Sequence, residues 1–242
     1  DGTLVARILS VRDRRATAVA TRRAPITGVS EFPNLDEQLP EVERASSGEA
    51  VKAPESDAAT TCERLEPVRW AEPFEALRDA ADVARNPSDH DAAADPRVFL
   101  ANLGSVATHT ARASWAKNFF EAGGIRAVSS QRGTSVGFSS AAEVAEDFAA
   151  DPARIVCVCS SDETYAELAA QTVGALAGVG AERIYLAGRP AELQSELETA
   201  GVDQFIHVGV DLLDVLGGAH ELLGIPQAHH GPSTDARQEE RR

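Results

Sequence analysis

Val98-Phe99-Leu100-Ala101-Asn102-Leu103-Gly104 is a nearly continuous apolar run closed by a glycine, with no alternation of inside and outside residues. A strand of that composition is covered on both faces, as in a parallel sheet lying between two layers of helices. Downstream, a helix with Trp115 and Phe119 four apart stops at Gly123-Gly124. Ala127 to Ser129 reads as a short strand, and Ser140 with Glu143 as a capping box opening a helix whose Val144 and Phe148 share a face. Ile155 to Cys159 is the third strand. A second box, Ser160 with Glu163, opens a helix carrying Tyr165, Leu168, Thr172, Leu176 and Val179 at spacings of three or four. Ile184 to Leu186 is the fourth strand, followed by a helix with Pro190 in its first turn and Gly201 at its end. Phe205 to Val208 is the fifth strand, and Asp211 caps a last helix through Leu212, Leu213, Leu216, Leu222 and Leu223. This alternation predicts an α/β domain over residues 96–226, a doubly wound five-stranded parallel sheet.

Upstream the pattern weakens. Leu4 to Ala24 places Arg7, Arg12, Arg14, Arg15, Arg22 and Arg23 among small apolar residues, which predicts an exposed helix lying on a larger body. Pro25 to Pro33 then reads as one β strand closed by proline, giving a helix-strand unit over 1–35 with no further strand beside it. Residues 36–95, and Glu41 to Thr61 above all, hold too few large apolar side chains to offset chain entropy and read as a linker. Its exception is Arg69 to Arg78, where Trp70, Phe74 and Leu77 predict a short helix clamped onto a neighbour. Residues 227–242 read as a polar, disordered tail. The sequence has no methionine and opens on Asp1, so a piece of a longer chain is expected.

Composition narrows the function classes. With 242 residues and 43% of them apolar, the chain can bury a sizeable core. A net charge of -15 argues against nucleic acid or an anionic membrane surface as partner, because phosphate binding draws on clustered Lys and Arg. Three cysteines, two inside one strand and Cys62 in a polar stretch, form neither a disulfide framework nor a spaced zinc site. No apolar run approaches the ~18 residues of a membrane span. No membrane association is expected, and the expected location is the cytoplasm.

Ligands of open parallel sheets lie over the carboxyl ends of the strands. The groups to question are therefore Gly104 to His109, Ser129, Cys159 to Ser161, Gly188-Arg189 and His207 to Gly209. Gly104 alone falls short of the three spaced glycines of a dinucleotide site. A phosphoryl-accepting domain wants Asp at the end of strand three, where Cys159 and Ser160 stand and Asp162 belongs to the helix start. His109 is the only candidate cofactor ligand, since a neutral imidazole binds transition metals when a carboxylate orients its other nitrogen. No carboxylate lies within its turn, and the plainer expectation is a helix-start histidine in contact with solvent; His207 reads the same way. Cys157 and Cys159 read as core residues, and Arg112 as either solvated or paired with a carboxylate of a partner. No catalytic residue and no metal site are expected.

Val98 to Gly104, Trp115 to Gly124 and Pro25 to Leu35 resemble the methylmalonyl-CoA mutase family, on the side of its small subunits, and the likeness runs from the arginine-rich helix to Gly224. The resemblance implies a flavodoxin-like fold for residues 96–226. It makes 1–35 the end of a (β/α)8 barrel that binds acyl-CoA, and 36–95 the linker between the two. In the family the flavodoxin-like domain binds adenosylcobalamin through D-x-H-x-x-G, whose histidine becomes the lower cobalt ligand. Aligned on Gly104, those three places hold Val106, Thr108 and Ala111; shifted by one they hold Ala107, His109 and Arg112. Cys159-Ser160-Ser161 stands near the family's serine pair, and Ala187-Gly188 replaces a double glycine. The resemblance therefore implies a noncatalytic subunit beside a large catalytic partner, with adenosylcobalamin in the holoenzyme but not on this chain. The alternatives are an active cobalamin module using His109 and a free-standing α/β interaction domain.

Overall fold

The computed structural model describes residues 3–37, 67–85, 95–130 and 137–226. Most of the expected linker, Cys62 and the expected disordered tail lie outside the described residues. Five parallel strands form one sheet: β1 (Arg97–Asn102), β2 (Arg126–Val128), β3 (Ile155–Cys159), β4 (Arg183–Ala187) and β5 (Gln204–Ile206). Their order, β2-β1-β3-β4-β5, is the flavodoxin-like one, with the direction of winding reversing between β1 and β3. β1 and β3 pair in register from Val98 opposite Ile155 to Asn102 opposite Cys159.

The unbroken apolar runs have the expected cause, a core on each face. On one side Val98, Leu100, Cys157, Cys159 and Tyr185 meet α3 (Val106–Glu121) and α7 (Leu212–Leu223). On the other, Phe99, Ala101, Val156 and Leu186 meet α4 (Ala141–Ala150) and α5, residues 162–178. Phe99 anchors this second core, its ring 5.5 Å from Phe148 and 6.2 Å from Phe138. Cys157 and Cys159 are buried, their sulfurs 3.8 Å apart, and burial pushes the Cys157 thiol up, away from the reactive thiolate. A further helix, α6 (Gln194–Ala200), ends at Gly201 in the left-handed conformation, as expected, but starts four residues after Pro190, which lies outside it and not in its first turn.

Local chemistry departs from expectation in four places. The α5 cap is Ser161, whose hydroxyl accepts from the Thr164 amide at 3.3 Å, while Ser160 is fully buried and donates its hydroxyl to the Leu103 carbonyl at 2.8 Å. A buried hydroxyl needs a partner, and the end of β1 supplies a nearer one than the helix. Second, α5 contains a π turn, Tyr165–Ala169, whose extra residue brings Ala169 and Val173 into the buried set beside the expected Tyr165, Thr172 and Leu176 and leaves Val179 exposed. Third, β5 stops at Ile206, because Val208 stands in an open turn with Gly209 at φ +95°. Fourth, Pro25 to Pro33 is not a strand: the amides of Val29, Ser30 and Glu31 all turn back to the Ile26 carbonyl, and one bridge joins Thr27 to Glu31. With no neighbouring strand among the described residues, its backbone bonds close locally.

That turn follows α1 (Thr3–Ala20), of which only Val19 and Ala20 are buried; Leu4, Ile8 and Val11 lie open along one stripe. Its far end is tied to the sheet domain. Arg22 pairs with Glu31 and stacks 5.3 Å from the centre of the Trp115 ring, and Asp36 binds Arg126 at 2.7 Å. The aromatic clamp is present as expected in α2 (Glu72–Arg85), with Phe74 and Ala81 buried against α7 and the Gly124 turn.

α7 also fixes a pH dependence. His220 is fully buried, its Nε2–H donates to the Gly123 carbonyl at 2.8 Å, and its Nδ1 has no partner among the described residues. Burial holds its pKa below the ordinary 6.5, and burial moves His109 the same way. An unfolded chain therefore takes up these protons first as pH falls, so the stability these two rings contribute by staying neutral is fully present above about 6.5 and declines below it. Thermal unfolding at pH 7.5 and 5.5 is expected to show a lower midpoint at 5.5. His220→Gln, which keeps the donor but cannot ionise, is expected to shrink that difference.

Candidate functional site

The winding reversal opens a crevice over the carboxyl ends of β1 and β3, and the chain fills it with its own groups. On the β1 side Gly104 turns at φ +78°, where a Cβ would sit 2.8 Å from the Thr108 hydroxyl, so only glycine fits the passage from strand to helix. α3 begins directly after Ser105. Thr108 donates its hydroxyl to the Ser105 carbonyl at 2.6 Å, which holds that oxygen in the first turn.

His109 follows, one turn into α3. It is 2% exposed, which corrects the expectation of a solvent-facing ring. The ring packs beneath Gly137, where a Cβ would lie 2.9 Å from its Cε1 and Nδ1 and 1.8 Å from the Gly104 carbonyl oxygen. That roof is fixed by a backbone pair, Gly104 N–H to the Phe138 carbonyl and Phe138 N–H to the Asn102 carbonyl, both at 2.8 Å. Burial lowers the imidazole pKa, with the Gly104 and Ser105 carbonyls opposing it; among the described residues no carboxylate takes part. A helical position facing the sheet is what buries it: His109, Ala113, Ala116 and Phe120 form one inward stripe.

Arg112 points the other way, across the crevice. Its guanidinium donates to the Ser160 carbonyl at 2.6 Å and to the Asp162 carboxylate at 2.7 Å, and its central carbon lies 5.0 Å from the centre of the Tyr165 ring. This corrects the expectation for Arg112, since the carboxylate it meets belongs to its own chain and not to a partner. Tyr165 is itself braced: its hydroxyl accepts from the Ser160 amide at 2.9 Å and donates to the Ala187 carbonyl at 2.7 Å, joining β3 to β4. Opposite, Gly188 at φ +118° turns its bare α-carbon to the guanidinium, and a Cβ there would lie 3.0 Å from the Arg112 central carbon.

The structure therefore gathers Gly104, His109, Arg112, Ser160 and Gly188 at one strand-end cluster. Ser129, Arg189 and His207 stand at strand ends outside its hydrogen bonds; His207 turns to the Val208 carbonyl. Asp162 and Tyr165 are the members that sequence reasoning assigned elsewhere, to a helix start and a helix face. An arginine early in α3, with an Asp just past β3, was the available signal, since both lie beside the winding reversal. Among the described residues no helix is long and apolar enough to cross a membrane.

No protein-family profile matches the chain. Among curated proteins it is similar to the methylmalonyl-CoA mutase small subunit of Streptomyces virginiae, 38% identical over 219 residues that make up 90% of this chain and 31% of that protein. The small subunit of Porphyromonas gingivalis is 31% identical over 212 residues, 88% of this chain and 31% of that protein. That of Propionibacterium freudenreichii subsp. shermanii is 28% identical over 213 residues, 87% of this chain and 30% of that protein. The chain spans about 31% of the length of the curated relatives it matches. Through some 90% of its own length, then, the chain is a homologue of the methylmalonyl-CoA mutase small subunits.

Proposed function

We propose that this chain is part of the noncatalytic subunit of an adenosylcobalamin-dependent methylmalonyl-CoA mutase, a cytoplasmic enzyme interconverting methylmalonyl-CoA and succinyl-CoA. In this reading it pairs with a large catalytic subunit, which holds the cofactor, and contributes fold and interface rather than reacting groups. Residues 1–35 are then the end of the acyl-CoA-binding barrel, and 36–95 the connection to the α/β domain. The names of the relatives support the enzyme; one structural observation supports the supporting role. The group the family would place here does not fit the residues present, because His109 is roofed by Gly137 and has no carboxylate among the described residues to orient it. Loss of such an orienting partner costs about 10- to 100-fold in metal affinity.

A single purification tests the reading. The intact gene product containing this chain, tagged and expressed with its host's proteins, is expected to bring down a large mutase subunit, with cobalamin loading unchanged by His109→Ala. Recovery without any large subunit leaves the free-standing interaction domain. Cobalamin lost with His109→Ala makes the chain an active cofactor module, and either result overturns the proposal.

A further inference from the structure

We propose that Arg112 is the internal occupant of the crevice between β1 and β3: its guanidinium takes the position that a bound ligand holds in open parallel sheets, and the strand ends are thereby held without any cofactor.

The location is set by topology, since the crevice at the winding reversal is where such sheets receive ligands. Arg112 leaves α3, which follows β1, and ends on groups that belong to β3 and the start of α5. Its contacts are those of a recognition site for a planar cation. A carbonyl oxygen at 2.6 Å and a carboxylate oxygen at 2.7 Å take separate N–H groups, while the Tyr165 ring lies 5.0 Å from the charge. Gly188 closes the last side without offering a side chain to compete for the space. The ring beneath is not free to move, because its hydroxyl is bonded to the backbone of both β3 and β4. The arginine thus links, through four groups, the segments that would otherwise part at the crevice. Lysine would keep the charge but lose the fork and the flat contact.

A site of this kind has a consequence that a merely structural arginine lacks: once vacated, it accepts a small guanidinium from solution. Neither a partner subunit nor cobalamin enters the measurement, so its outcome is independent of the mutase reading. Thermal unfolding of the chain carrying Arg112→Ala is expected to give a midpoint roughly 4–8 °C below that of the unsubstituted chain. Millimolar propylguanidinium is expected to restore at least half of that loss, to do so better than propylammonium, and to leave the unsubstituted chain unmoved. An unchanged midpoint in Arg112→Ala overturns the proposal, as does a loss that propylguanidinium repairs no better than propylammonium. Arg112→Lys is expected to melt below the unsubstituted chain and to gain nothing from propylguanidinium. A lysine variant as stable as the original refutes the proposal even where the alanine variant does not fold.

Discussion

Phe120→Ala is expected to remove about 3–5 kcal/mol of folding stability, the range for truncating a large buried ring. Phe120 is fully buried on the inner face of α3, with its ring edge-on to Phe119 at 5.4 Å and to Tyr185 at 5.3 Å. Aromatic walls of this kind move little, so the space left by the ring stays open rather than collapsing. Against a total of about 5–15 kcal/mol, the loss is a large share. Urea unfolding followed by far-ultraviolet dichroism is the measurement, and a loss below about 1.5 kcal/mol would place the true centre of this core elsewhere.

Gly137→Ala is expected to destabilise by roughly 2–4 kcal/mol through a different mechanism, overpacking against backbone. The new methyl group would lie 1.8 Å from the Gly104 carbonyl oxygen, and the Asn102–Gly104 backbone that carries it is held to Phe138 by two hydrogen bonds, through Gly104 N–H and the Asn102 carbonyl, that a retreat would strain. The His109 ring, at 2.9 Å, is the softer obstacle. Adding His109→Ala to Gly137→Ala is therefore expected to recover less than half of the loss in the same urea assay. Full recovery would mean that the side chain, not the backbone, is what excludes a larger residue. An alanine at 137 tolerated within about 0.5 kcal/mol would remove the roof from the description of the site.

The sheet was legible because its information is local. Ile155 to Cys159 is apolar at every position and Val98 to Leu103 at every position but Asn102, as a strand covered on both faces requires, and glycines stand where helices stop. The Pro25–Pro33 turn was misread for the complementary reason: its residues favour a strand, but pairing needs a neighbour, and that is a property of other parts of the chain. The site divides the same way. Gly104, His109, Arg112 and Ser160 were named because they follow strands. The burial of His109 and the reach of Arg112 to Asp162, fifty residues away, were not readable, since each depends on how α3 rotates against the sheet. Ser160 and Ser161 show the difficulty at its smallest. Two adjacent hydroxyls suit the same cap, and only the position of the Leu103 carbonyl decides between them.

The π turn at Tyr165–Ala169 gives α5 one residue more than its length as a regular helix would need, and this slack lies between a capped end and a packed face. Shortening the segment Ala166 to Leu168 by a single position would let the helix relax to ordinary winding, at no loss of hydrogen bonds along its axis. Because the wide turn absorbs that one residue, the phenol and the inward stripe downstream would keep their relative facing, whereas the same deletion in an ordinary turn would swing one past the other by about 100°. The rivet between the third and fourth strands would hold after a deletion at the wide turn and come undone after one in the turns beyond it. In this fold, tolerance to insertion and deletion is therefore governed less by where loops lie than by where a helix keeps its spare residue.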